Sequence, residues 1–220
     1  MEATQLYRTL LPRLGDAELA QLQRYAVLFR EWNQRLNLVS RKDIDALEEH
    51  HILHSLTFAR WVDFNPGALV LDFGTGGGLP GIPLAILFPE VRFVLVDSVA
   101  KKIGAVEAMA RDLGLENVRA VAQRVENLPE RFDFVVGRAV ATLSKAVPWI
   151  TPKLRTGSRK ANIANGLLYL KGTQYADECG QLGITPDHVW SLQEILPLPY
   201  YEEKYLIHIQ TQSFSSSTAT

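Results

Sequence analysis

The chain has 220 residues, 47% of them hydrophobic and 21% charged, and a net charge of −1. Such a chain forms one globular domain with a full core and a small appendage, and is neither disordered nor membrane-spanning. The near-neutral charge gives no support to a polyanion partner, though it leaves room for a local basic patch. A single cysteine, Cys179, excludes an intramolecular disulfide and a thiolate metal cluster. Met1 to Gln5 has neither the basic start nor the apolar stretch of a signal peptide, so a cytoplasmic location is expected.

In chain order, the first third reads as helical. Asp16 is placed as the N-cap of a helix in which Leu19, Leu22, Tyr25, Ala26, Phe29, Trp32 and Leu36 recur at helical spacing. A second helix is predicted from Ile44 to Val62, closed by the turn Asn65-Pro66-Gly67. Strands are predicted at 68–73, 91–97, 118–122, 132–136 and 167–171, with a late one at 205–209 as an antiparallel edge. Helices are predicted after the first strand (79–87), at 101–113 up to Gly114, and at 144–154 with an interruption near Pro148 or Pro152. The Ser/Thr-rich stretch 211–220 is expected to be disordered. Strands alternating with helices imply an α/β fold with a mostly parallel sheet.

The stretch from Val70 to Gly81 carries the chemistry. A buried strand breaks into glycines and is followed by a helix, which makes a nucleotide-binding corner. Two cofactors compete for it. Gly76, Gly78 and Gly81 satisfy the dinucleotide pattern G-x-G-x-x-G, whereas Asp72 to Gly78 fits acidic-x-Gly-x-Gly-x-Gly, which resembles the first motif of S-adenosylmethionine-dependent methyltransferases. Asp72 favours the second reading. A carboxylate repels a pyrophosphate, but it can lie near the ammonium of a methionine moiety or order the loop.

In a parallel sheet the ligand sits beyond the carboxyl ends of the strands. Asp97, about 20 residues past the glycines, can accept from ribose hydroxyls; its place equally suits a helix N-cap shared with Ser98. Glu126 can meet an adenine amine or remain a solvated carboxylate. Arg138, between Gly137 and Ala139, needs an anionic or polar partner: a cofactor carboxylate, an RNA phosphate or an internal acid. Gly137-Arg138-Ala139 is not the Asp/Asn-Pro-Pro-aromatic pattern of amino-nitrogen methylation, and Cys179 lies outside any nucleophile motif. A target that is already nucleophilic, such as guanine N7, then fits. Lys101, Lys102, Lys153, Arg155, Arg159, Lys160 and Lys171 are scattered candidates for RNA contact. His50, His51 and His54 lack the H-E-x-x-H pattern and read as packing or RNA-contact residues, not as metal ligands.

These residues together resemble a known family, the bacterial small-subunit ribosomal RNA guanine-N7 methyltransferases, once called glucose-inhibited division protein B. The resemblance covers about residues 20 to 210. It is carried by Trp32-Asn33 with Asn37-Leu38, His51-Ile52-Leu53 with Ser55-Leu56, and Asp72 to Pro83. Asp97-Ser98 with Lys101-Lys102, Arg124-Val125-Glu126, Gly137-Arg138-Ala139 and Leu170-Lys171-Gly172 continue it. It implies a Rossmann-like class I methyltransferase domain (66–210) behind an N-terminal helical extension (1–65), with a tail at 211–220. It also implies methyl transfer from S-adenosyl-L-methionine to N7 of a guanosine in the decoding-region loop of 16S rRNA, free or in a small ribosomal subunit or assembly intermediate. Family contacts to the donor fall on Gly74, Leu79, Val125, Glu126 and Arg138. To these, Gly76, Gly78, Asp97 and Ser98 are added from the motif and ribose arguments. No general base is assigned; Arg124 and Lys171 are the candidates for holding the RNA. No metal and no membrane are expected, and a monomer is. The chain departs from the family at His54, where an acid is usual, at His50, often arginine, at Val39, usually threonine, and in a longer, more basic stretch at 155–165. The alternatives are a methyltransferase acting on another RNA or a small molecule, an NAD-dependent oxidoreductase, and a non-catalytic RNA-binding protein.

Overall fold

The computed structural model describes residues 3–157 and 160–214. Helix α1 (Ala3–Leu10) precedes α2 (Asp16–Leu36). Gly15, with extended backbone, takes the N-cap position expected for Asp16. Asp16 instead opens the first turn, where its negative charge still suits the helix's positive end, and it pairs with Arg8.

The single helix predicted from Ile44 to Val62 is a run of short pieces. A 3₁₀ turn (Ile44–Ala46) leads to a π-helical turn (Glu48–Leu53), then α3 (His54–Leu56) and α4 (Phe58–Trp61). A π turn displaces the backbone hydrogen-bond register and needs outside partners. Tyr201 Oη donates to Glu49 O (2.5 Å), and Tyr200 Oη donates to His50 O (2.9 Å).

The rest is a three-layer sandwich. Strands β1 (Leu69–Phe73), β2 (Arg92–Asp97), β3 (Val118–Ala122), β4 (Phe134–Arg138), β5 (Gly166–Gly172), β6 (His188–Ser191) and β7 (Lys204–Gln210) form one sheet in the order β3-β2-β1-β4-β5-β7-β6. The first five pair in parallel, and β7 runs antiparallel to both β5 and β6. The late strand is therefore interior, and the edge is β6. Its four residues, His188-Val189-Trp190-Ser191, offer no apolar run to read.

Inner strands are apolar throughout because both faces are covered. Val70, Leu95, Val136 and Leu170 point to one face, into a core shared with α2, the 44–61 segment, α5 (Gly81–Leu87) and α6 (Ala100–Asp112). Leu71, Phe73, Val135 and Tyr169 point to the other, against α7 (Leu143–Ile150) and α8 (Tyr175–Leu182). Pro148 stays inside α7, which passes into a 3₁₀ turn at Thr151–Lys153. The stretch expected to be disordered from 211 begins as an ordered turn, Thr211–Phe214, because Thr211 hydrogen-bonds to Asn165 and Phe214 is buried; 215–220 lies outside the described residues.

His208 on β7 is 1% exposed, its Nε2 lies 2.9 Å from Ala164 O, and burial pulls its pKa down to about 4. A base with a lowered folded pKa contributes stability above its unfolded value, near 6.5, that is lost as pH falls toward 4. At ~1.4 kcal/mol per unit this amounts to roughly 3 kcal/mol. Urea denaturation at pH 7 and pH 4.5 is expected to show a smaller acid loss in His208→Gln than in the parent. Equal losses would contradict this account of His208.

Candidate active site

Sheet order reverses between β1 and β4, so a crevice opens beyond their carboxyl ends. Asp72, 0% exposed, sits beneath the glycine loop. Its Oδ2 accepts from Thr75 Oγ1 (2.6 Å) and from the Gly81 amide (2.9 Å). The carboxylate therefore orders the loop. Burial outweighs these hydrogen bonds and raises its pKa to about 7.

The dinucleotide alternative fails on this geometry. A pyrophosphate needs the first amide of α5, which Asp72 already occupies. Gly78 and Gly81 are buried against Ile82 and Leu95, where they permit packing.

Gly74 and Gly76 are the partly exposed glycines of the loop, with φ of 65° and 58°. The Gly76 amide donates to Asp97 Oδ2 (3.1 Å), and the Val99 amide donates to Asp97 Oδ1 (2.9 Å). Asp97 thus ties the loop to the start of α6, and each oxygen keeps acceptor capacity beyond that one bond. Gly74, Asp97, Ser98, Val125, Glu126 and Val140 line a cleft of ≈ 350 Å³, with Arg124 on its wall. Val125 is buried in a 3₁₀ turn that leaves Glu126 exposed. Leu79 is not on the cleft: it packs in the core, 5% exposed.

Arg138 and Lys171 line a second cavity, of ≈ 460 Å³, which shares Ala139 with the cleft. The segment 139–141 is the wall between them, with Ala139 at φ 54°. A clamp invisible to sequence patterns holds this wall. Tyr169 Oη donates to Ala141 O (2.8 Å) and accepts from the Ala141 amide (2.9 Å). Lys171 Nζ forms a two-pronged ion pair with Glu178 (2.8 and 2.7 Å), and Glu178 Oε2 also accepts from the Leu143 amide at the start of α7 (2.6 Å). Lys171 is thus a paired, nearly buried cation, whereas Arg124 is exposed on the other cavity.

Sequence reasoning also missed Tyr200 and Tyr201. Their hydroxyls anchor the π turn, and His50 stacks on Tyr200 at 3.8 Å. The adjacent tyrosines just ahead of the last strand were the available signal. Cys179 is buried in the core, where desolvation raises its thiol pKa. Arg159 lies outside the described residues. Among the described residues no three His, Cys, Asp or Glu side chains gather as a metal site, and no helix is long and apolar enough to cross a membrane.

The sheet order, the glycine loop over a buried acid and the acid ending β2 define the fold of the class I S-adenosylmethionine-dependent methyltransferases. A solved mutant of MtNAS in complex with S-adenosylmethionine shares that fold, with TM-score 0.55 and 17% identity over 84% of this chain and 72% of that one. The sequence model of the GidB family, described as rRNA small subunit methyltransferase G, matches residues 18–188, and the chain belongs to that family. It is 44% identical to ribosomal RNA small subunit methyltransferase G of Flavobacterium johnsoniae, over 90% of this chain and 93% of that protein. The same holds for its namesake in Porphyromonas gingivalis, 44% identical over 92% and 89%.

The residues present fit the donor this family uses. The cleft has the volume of a small-ligand site, Gly74 leaves the end of β1 without a side chain, Asp97 offers free lone pairs, and Arg138 Nε is buried without a hydrogen-bond partner. Asp97→Ala removes a charged acceptor and frees the loop. Its affinity for S-adenosylhomocysteine is expected to fall at least about tenfold, since a charged hydrogen bond contributes roughly 1.5–3 kcal/mol. Unchanged affinity in a calorimetric titration would remove Asp97 from the site.

Proposed function

We propose that this protein transfers a methyl group from S-adenosyl-L-methionine to N7 of a guanosine in the decoding-region loop of 16S rRNA, in the cytoplasm. The observation that carries the reading is the pair of cavities meeting at Ala139 in a chain of the GidB family. When bound, S-adenosylmethionine supplies an electrophilic methyl on a sulfonium. Asp97 and Ser98 receive its ribose, Val125 and Glu126 its adenine, Gly74 its sulfur-bearing chain and Arg138 its carboxylate. The second cavity receives the guanine.

N7 carries a lone pair and no proton, so no side chain needs to act as a base. The work of the chain is positional. The wall at 139–141 fixes the direction from which N7 approaches, and in-line placement supplies much of the rate. Glu202 and Glu203 line the second cavity and favour the positive charge that appears on the methylated ring. Arg124 holds RNA phosphate from the donor side.

Incubation with labelled S-adenosylmethionine and small subunits from a strain lacking the modification tests the proposal. Digestion to nucleosides is expected to place the label in 7-methylguanosine. Label in another nucleoside, or none, would overturn the assignment.

A further inference from the structure

In the run Gly76-Gly77-Gly78 the outer two glycines have positive φ, which glycine adopts freely. Gly77 does not, so its backbone conformation requires no glycine. Its requirement is space. A Cβ on Gly77 would run into the Phe29 ring, 2.9 Å from Cζ, and lie 3.2 Å from Leu38 Cδ1. Both side chains come from the N-terminal segment, Phe29 from α2 and Leu38 from the turn after it.

Gly77 is buried, so its carbonyl needs a donor. In a continuous helix the amide four residues on would supply it. That amide, of Gly81, donates to Asp72 instead. Tyr25 Oη on α2 donates to Gly77 O (2.9 Å), and among the described residues no backbone amide does so. Tyr25 is 0% exposed. Burial, opposed by Arg138 and reinforced by Asp72, holds its hydroxyl well above the usual pKa, so it remains a donor at neutral pH.

The end of α2 is shaped to complete the contact. Asn37 closes the helix at φ 47°, its amide on Asn33 O (3.1 Å), and the buried Asn33 side chain accepts from the Val39 amide (2.8 Å). The turn sets Leu38 against the glycine loop. Asn33, Asn37 and Leu38 thus have a task apart from the methyl transfer itself. One peptide before Gly77, the Gly76 amide donates to Asp97.

We propose that Tyr25 is a positioning residue for the methyl donor: its hydroxyl, with Phe29 and Leu38 packed on Gly77, fixes the loop whose Gly76 amide orients Asp97. The ligand's identity rests on the proposed function. Helix α2 is then part of the donor site.

Calorimetry of the full chain with S-adenosylhomocysteine tests this. Tyr25→Phe keeps the edge-to-face packing on Phe29 and removes only the hydroxyl. Affinity should fall about fivefold, as for one net hydrogen bond. On an Asp97→Ala background the same substitution should cost less than about twofold, because Tyr25 acts through the loop that Asp97 joins. Thr211→Val removes a buried hydroxyl beside the amino end of β5, away from the crevice. It should leave affinity within about twofold. From the loop side, Gly77→Ala should weaken binding about tenfold, and Phe29→Leu should restore most of that by clearing the place of the ring. This pair decides the matter if Tyr25→Phe does not fold. Parental affinity in folded Tyr25→Phe, an undiminished loss on the Asp97→Ala background, an equal loss in Thr211→Val, or no rescue of Gly77→Ala by Phe29→Leu would overturn the role of Tyr25 and leave the donor reading standing. A parent chain that binds no S-adenosylhomocysteine would overturn both.

Discussion

Gly74→Val is expected to weaken S-adenosylhomocysteine binding by at least about 100-fold, equivalent to ~2.7 kcal/mol, while the protein still folds. Gly74 sits at φ 65°, a conformation that a β-branched residue adopts only under strain. A Cβ there would lie 2.6 Å from Val140 Cγ1 and 2.8 Å from Cγ2. Val140 belongs to the wall between the two cavities, so relief must come from moving that wall or filling the cleft. The strain is of order 1–3 kcal/mol, within what a typical domain tolerates. Calorimetry alongside circular dichroism checks both halves. A folded variant with parental affinity would show that the ligand does not approach β1.

Lys171→Ala is expected to lower methyl transfer at least about tenfold, a loss of ~1.4 kcal/mol in the transition state, with S-adenosylhomocysteine affinity changed less than about threefold. Lys171 works from an ion pair whose side chains are only 12% and 14% exposed. Removing it leaves Glu178 uncompensated beside the Leu143 amide and loosens the contact to Ala141 O. Breaking a buried pair costs about 3–5 kcal/mol, and partial exposure brings this pair to the lower end. Lys171→Met combined with Glu178→Gln removes the bare charge and should restore most of the stability without restoring activity. If the double variant is as unstable as Lys171→Ala, the ion pair is not what holds the wall. If donor affinity falls as far as activity, Lys171 acts on the donor side.

What could be read from the sequence was local. Val70 to Gly81 announced strand, turn and helix within a dozen residues, and Asp97 followed from its distance to the glycines. The first is contiguous along the chain, and the second is brought to it by the parallel pairing of β2 beside β1 within one strand–helix–strand unit. Asp72 was legible as an acid in the motif but not as a buried one, because its partners Thr75 and Gly81 become visible only when the loop closes over it. The 44–62 segment shows helical spacing, yet its π turn depends on Tyr200 and Tyr201, about 150 residues away. The clamp on Ala141 likewise joins a strand, a loop and two helices. Leu79 and Gly78 matched their motifs, yet the fold turns them toward the core, since a motif fixes residue types and not the side each presents.

The account stands on the crevice between β1 and β4 being the donor site. A crystal structure of the chain with S-adenosylhomocysteine tests this most directly. The ribose hydroxyls are expected within about 3 Å of Asp97, the adenine against Val125 and the amino-acid chain passing Gly74 toward Arg138. A ligand bound elsewhere, or a ribose out of reach of Asp97, would contradict it.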